Sequence, residues 1–322
     1  MTNSLYRSAL PQLSGSLFLA DGGIETDLIF NRGIEIREFA AHTLLSDPAS
    51  REQVAAYFRP FLALAADYGT GYILDSQTWK AHLHWADSLR ATAAELREAN
   101  RDSIAFIAEL REEFAENPVP IVLNGIIGPT SDAYAPEACL GTDQARDYHA
   151  QQIGWLAETE VDMVTATTFP HVDEAAGFVQ AAGEAGIPAV VSFTVETDGR
   201  LPTGVPLADA VRRVDDATDG AAAYFMVNCA HPDHFFHVLG DEDWARRIRG
   251  LRCNASRLSH AELDACETLD DGEPSEFGGQ YRSILERLPW INVLGGCCGS
   301  DLRHVSAVAR SVSAARHGHS TK

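Results

Sequence analysis

Two of the chain's six cysteines, Cys297 and Cys298, are neighbours in the segment LGGCCG. A third, Cys229, stands 68 residues earlier in MVNCAHP. Both segments directly continue a short apolar run. Thiolates are soft ligands, and three converging on one point suit zinc. Three protein ligands also leave a fourth coordination position open, which marks a catalytic rather than a structural site. A disulfide scaffold does not fit six cysteines in 322 residues, and bridging sequence neighbours strains the crosslink. The plainer alternative is that cysteines pack as small buried hydrophobes. That alternative suits Cys139, Cys253 and Cys266, which have no comparable setting. Gly295, Gly296 and Gly299 frame the pair and would let the backbone turn sharply enough for consecutive residues to face one ion.

Whether the three sulfurs meet depends on the elements that carry them. Short apolar strands alternate with helical segments: SLFLADGG, GYILDS, PIVLNGIIGP, VDMVTATTF, IPAVVSFTV, AAYFMVNCA, the weaker IRGLRCNAS, and INVLGGCCG. Asp47-Pro48 opens a helix that closes near Gly69, and Asn117-Pro118 stops the long pattern before it. Thr142 is read as the cap of DQARDYHAQQIGWLAETE, and glycine ends EAAGFVQAAGEAG. LADAVRRVDDA, HFFHVLG and QYRSILERL are further helices, and a last one starts at Ser300. The acidic stretch from Glu262 to Gly279 reads as a loop. Alternation of this kind implies parallel strands, since each crossover needs a helix. Eight units in about 300 residues fit a closed (β/α)8 TIM barrel better than an open doubly wound sheet. The expectation is therefore one α/β domain over residues 1–322. Functional groups in either fold gather past the carboxyl ends of the strands. Cys229, after the sixth strand, then shares a face with Cys297 and Cys298, after the eighth.

Acidic residues number 46 against 25 basic ones, a net charge of −21, and only Lys80 and Lys322 are lysines. Such a surface repels phosphate backbones and anionic lipid, so neither nucleic acid nor membrane is an expected partner. No apolar run approaches the roughly 20 residues of a membrane span. The opening MTNSLYRSALPQLSG lacks the apolar core of a signal peptide, so a cytoplasmic location is expected.

ADGGIETDL near the start, NC after the sixth strand and GGCCG after the eighth resemble the zinc-dependent homocysteine S-methyltransferase family. That family includes the betaine– and S-methylmethionine–homocysteine methyltransferases and the homocysteine module of cobalamin-dependent methionine synthase. SFTVETDGRLPTGVPLADAV resembles its fifth strand and the segment after it, and the likeness runs from about Leu17 to Arg310. It implies a (β/α)8 barrel in which Cys229, Cys297 and Cys298 match the zinc ligands. It also implies methyl transfer from a small onium donor, such as S-methylmethionine or betaine, to a thiol acceptor, with homocysteine giving methionine. The chain shows no cobalamin- or folate-binding segment, which favours the small donor.

The chemistry agrees with the residue types. A free thiol titrates near 8.5, only its thiolate attacks carbon well, and zinc with an open position deprotonates it at neutral pH. A cationic donor leaves neutral, so no acid–base pair is required, and orientation supplies much of the rate. Asp21, in the turn with Gly22, matches the family's acidic residue near the acceptor amine. The fourth strand departs from the pattern: where the family has a Glu in a CETIP-like segment, this chain reads ATTFP, with Thr167 at that position. Glu25, Asp27 and Asp75 lie near strand ends and are candidates to compensate. Asn228 and Asn254, also at strand ends, are candidates for substrate polar groups or for loop backbone. A cationic donor needs aromatic faces, for which Trp79, Tyr134 and Phe169 are placed. Three rivals stand beside this reading. His82 and His84 have the His-x-His spacing of barrel metallohydrolases; Cys297–Cys298 suggests thiol redox chemistry; and the missing Glu leaves room for a zinc-binding barrel without catalysis.

Overall fold

The computed structural model describes residues 4–136 and 139–319, in which eight parallel strands close into a barrel in sequence order. They are β1 (Phe18–Leu19), β2 (Gly71–Asp75), β3 (Ile121–Ile127), β4 (Met163–Phe169), β5 (Ala189–Phe193), β6 (Tyr224–Asn228), β7 (Ile248–Cys253) and β8 (Val293–Gly296). β1 pairs with both β2 and β8, so the sheet has no edge. The single (β/α)8 barrel expected from the alternation is the observed fold.

Side chains alternate between two cores along every strand but β7. Phe18, Ile73, Val122, Met163, Val190, Tyr224 and Val293 fill the barrel together with Leu10 from the N-terminal segment. Their neighbours Leu19, Leu74, Leu123, Val164, Val191, Phe225 and Leu294 face the outer helices and belong to the larger cluster. Burial on both faces is why these strands read as continuous apolar runs. Toward the carboxyl ends the inward set turns polar, and Asp75, Asn124, Thr165, Ser192 and Arg252 line a cavity there. The amino end is plugged by Gln12, whose carbonyl accepts from Asn292 Nδ2 at 2.8 Å. The barrel therefore has one open, polar end.

Local signals set most helix boundaries. The Pro48–Tyr68 helix begins with Asp47 accepting from the Ser50 N–H at 2.8 Å, and Gly69 closes it at φ +63°. Thr92 and Glu95 form a reciprocal capping box at the start of Ala93–Glu113. The structure corrects three readings. Thr142 is the first helical residue, and Gly141 is the cap. The last helix opens at Leu302 rather than Ser300. The stretch from Glu262 to Gly279 is only partly loop: His260–Asp264 is a short helix, and Pro274 opens a helix running to Arg287. Gly278 and Gly279 disguise that second helix. At Gly278 a Cβ would stand 2.6 Å from the Ala307 carbonyl oxygen, so glycine permits close packing against the final helix. Among the described residues no helix is long and apolar enough to cross a membrane.

His42, in the turn Ala41–Ser46, is buried with Nδ1 unpartnered, and burial pushes its pKa down to about 4. In the unfolded chain the imidazole titrates near 6.5, so the unfolded state binds the proton first. Stability from neutral His42 is complete above about pH 6.5 and is lost as pH falls toward the folded value. Chemical denaturation of His42→Gln at pH 7 and pH 5 is expected to show a smaller drop in stability than the unaltered protein. Equal drops would refute this account.

Candidate functional site

The sulfurs of Cys229, Cys297 and Cys298 all lie within 4.8 Å of one another at the carboxyl end of the barrel. Cys229 and Cys297 are joined as a disulfide, with Cα atoms 5.3 Å apart, while Cys298 is free. Tetrahedral zinc with Zn–S of about 2.3 Å holds its sulfurs roughly 3.8 Å apart. Once reduced, the trio has the spacing and the donor type for one such ion. Of the remaining cysteines only Cys253 is buried; Cys139 and Cys266 are exposed, against the packing role expected for them.

The two glycine-rich motifs are needed because β1 and β8 are neighbours. The Gly23 N–H donates to the Ser300 carbonyl at 2.9 Å, and the Gly296 N–H donates to the Asp21 carbonyl at 2.8 Å. A Cβ at Gly22 would stand 2.5 Å from the Ser300 oxygen. Gly299 provides the turn, at φ +78°. Gly295 and Gly296 act differently from the expected sharp turn: side chains there would strike Ala20 and Ser300, so their role is close approach. Cys229 itself has φ +52°. Its carbonyl accepts from Asn254 Nδ2 at 3.1 Å and from His260 Nε2 at 2.6 Å. Thr168, also left-handed at φ +64°, is an unusual conformation for a β-branched residue. Asn228 holds it, accepting from the Thr168 N–H at 3.0 Å and donating to its hydroxyl at 2.7 Å. Asn228 also accepts from Ser192 Oγ at 2.6 Å. Both asparagines thus brace the backbone around Cys229.

Asp21 and Asp75, both buried, share one counter-ion that the sequence reading missed. Arg252 reaches across from β7 and donates through Nη2 to Asp21 and through Nη1 to Asp75. Tyr57 donates to Asp21 at 3.1 Å, and Asn124 donates to Asp75 at 2.7 Å. The available signal was a charged residue at an inward position of IRGLRCNAS. Glu25 lies beside this group, and burial, then the charge of Asp21, push its pKa up to about 7. Burial, then Glu25, push the Cys298 thiol up to about 12. A cation bound beside these two groups would favour the anionic form of each.

Tyr134 packs on His260 with ring centroids 4.1 Å apart and the planes tilted by 38°, and burial, then the nearby Cys298, push its pKa well up. It therefore stands at the cysteine cluster. Trp79 donates to the Thr167 carbonyl at 3.0 Å, which ties the ends of β2 and β4. Thr167 lines the cavity. Lys80 places its ammonium 3.8 Å from the Trp85 ring centroid and 5.7 Å from that of Trp79. Phe169 is instead fully buried, with ring contacts to His149 and Phe178, and Asp27 is engaged by Arg32 and Asn31. His82 is buried against the Tyr148 hydroxyl at 2.7 Å. Neither His82 nor His84 joins a ligand cluster; among the described residues the three cysteines form the one such group.

Residues 18–312 match the homocysteine S-methyltransferase family. The chain is 25% identical over 224 residues to betaine–homocysteine S-methyltransferase 1 of Danio rerio, covering 65% of this chain and 54% of that protein. It is 22% identical over 325 residues to homocysteine S-methyltransferase YbgG of Bacillus subtilis (strain 168), covering 92% of this chain and 95% of that one. The alignment thus spans about half the length of the first relative and nearly all of the second. The metallated form of the homocysteine methyltransferase MmuM from Escherichia coli superposes with a TM-score of 0.69 at 16% identity, covering 94% of this chain and 99% of that one. Its oxidized form gives 0.69 at 18%, with 94% and 97% covered. These structures share the fold. The family match runs from β1 into the final helix and takes in all three clustered cysteines: the chain belongs to the homocysteine S-methyltransferase family.

Proposed function

We propose that this chain is a zinc-dependent S-methyltransferase that moves a methyl group from a small onium donor, such as S-methylmethionine or betaine, to a thiol, homocysteine first, giving methionine. The observation that carries the reading is the three-sulfur cluster at the open end of a barrel of this family. Reduction of the Cys229–Cys297 bridge by two electrons and two protons frees the full set, a condition that a reducing cytoplasm provides. Zinc held by Cys229, Cys297 and Cys298 would supply a Lewis acid with an open position that lowers the pKa of an incoming thiol.

The chain's own residues arrange the rest. His260 and Asn254 fix the Cys229 carbonyl, and the zipper between the DGG and GGCCGS segments fixes the other two sulfurs. Arg252 holds Asp21 and Asp75 across the mouth. Tyr134, beside Cys298, offers an aromatic face to the donor cation. In the transfer the acceptor sulfur forms a bond to the methyl carbon, the methyl–onium bond breaks, and its electron pair leaves with the now neutral donor. Positioning two substrates in line is the main contribution of the protein. Incubating the reduced, zinc-loaded protein with homocysteine and each onium donor should yield methionine by mass spectrometry. Zinc retention without a methylated product from any thiol and onium pair would leave a binding barrel instead.

A further inference from the structure

At the open end of the barrel Asp75, in the wall, and Asp21, beside it, are both already paired with the same cation. The cavity is lined there by Asp75, Asn124, Thr165, Thr167, Ser192 and Arg252. Asp75 has both oxygens engaged, Oδ1 by Asn124 at 2.7 Å and Oδ2 by Arg252. Asp21, beside it, is engaged in the same way, Oδ2 by Tyr57 at 3.1 Å and Oδ1 by Arg252. Arg252 Nε donates to the Gly296 carbonyl at 3.1 Å, the residue before Cys297, so the guanidinium is fixed to the metal-site loop as well. Its side chain is 15% exposed and the two carboxylates are buried, so water competes little for these pairs. Each carboxylate keeps further lone pairs, but an α-ammonium brought to either one would have to approach the Arg252 guanidinium already seated between them. Here the place is held by a cation, and the neighbouring Thr165, Thr167 and Ser192 are neutral.

We propose that Arg252 determines the choice of acceptor: it keeps Asp21 and Asp75 as its own counter-ions, so the site selects a thiol without reading an α-amino group. This rests on the methyl-transfer reading and narrows its substrate class to short thiols, including carboxylate-bearing ones that have no amine. Homocysteine enters this class by its sulfur alone. Glu25 and Asp264 are the other carboxylates whose charge reaches Cys298, and burial rather than the more weakly acting Arg252 and Lys80 dominates at Glu25.

The test compares homocysteine with 4-mercaptobutanoate, which keeps the thiol, the carbon chain and the carboxylate and lacks only the amine. Binding to the reduced, zinc-loaded protein is measured by calorimetry, and kcat and KM are measured with one onium donor. The expected ratio between the two thiols is within about threefold, whereas a site built around a substrate N–H rejects the analogue lacking it by roughly 10⁴-fold. Any preference for homocysteine larger than that expected ratio would overturn the proposal. In Arg252→Met the released carboxylates should move the ratio toward homocysteine by about tenfold or more, through KM rather than kcat. If that variant does not fold, the comparison in the unaltered protein decides alone. A homocysteine preference that collapses in Glu25→Gln would assign the amine to Glu25 and also overturn the proposal. Equal binding of both thiols with no methylation of either by any onium donor would sink the methyl-transfer reading and leave the acceptor assignment standing. Binding of neither would sink both.

Discussion

Cys298→Ser is expected to take bound zinc from about one ion per chain to nearly none and to abolish methyl transfer. Cys298 is the sulfur free of the disulfide, and burial together with Glu25 holds its thiol protonated up to about 12. A serine hydroxyl is a hard, weakly acidic donor that does not replace a thiolate toward zinc. Disturbing residues that only orient a ligand costs roughly 10–100-fold in metal affinity, and losing the ligand itself exceeds that. Exposed Cys266 serves as the control, since Cys266→Ser leaves the cluster intact. Plasma mass spectrometry on both reduced variants reads the effect. A Cys298→Ser protein that kept its zinc while Cys266→Ser lost it would place the metal elsewhere.

Gly22→Ala should damage the site without touching a ligand. The new Cβ would stand 2.5 Å from the Ser300 carbonyl oxygen, 2.9 Å from its carbon and 3.1 Å from the Asp301 Cα. All three atoms are backbone, so no side-chain rotation relieves the clash. The Ser300 hydroxyl donates to the Cys297 carbonyl at 2.7 Å, so a displaced Ser300 carries the cysteine loop with it. Overpacking of this kind costs about 1–3 kcal/mol of stability. A shift of about 1 Å in a reacting constellation costs on the order of 100-fold in rate. Gly279→Ala makes the contrast: nothing lies within 4 Å of a Cβ there, in the middle of a helix. It should gain up to about 1 kcal/mol from helix propensity and keep full activity. Paired melting curves and rates decide the matter, and a Gly22→Ala protein as active as Gly279→Ala would show that the loop yields at no cost.

The sequence by itself determined the barrel and the face that carries the sulfurs. Short apolar strand runs, the Asp47-Pro48 start and the Gly69 stop are local signals, each readable within a few residues, and the alternation of strands with helices leaves few topologies. Once the strands are counted, Cys229 and Cys297 must share an end of the barrel, because each directly follows its strand. Tertiary structure alone decided the electrostatics of that end. Arg252 meets Asp21 across 231 residues of chain and Asp75 across 177, and nothing in IRGLRCNAS states which carboxylates it will find. The same holds for Gly278, for Gly295 and Gly296, and for Asn228, whose roles are set by how closely another backbone passes. Spacing along a chain fixes which way a side chain points. Its partner is set by the distance between strands, and that distance exists only after closure.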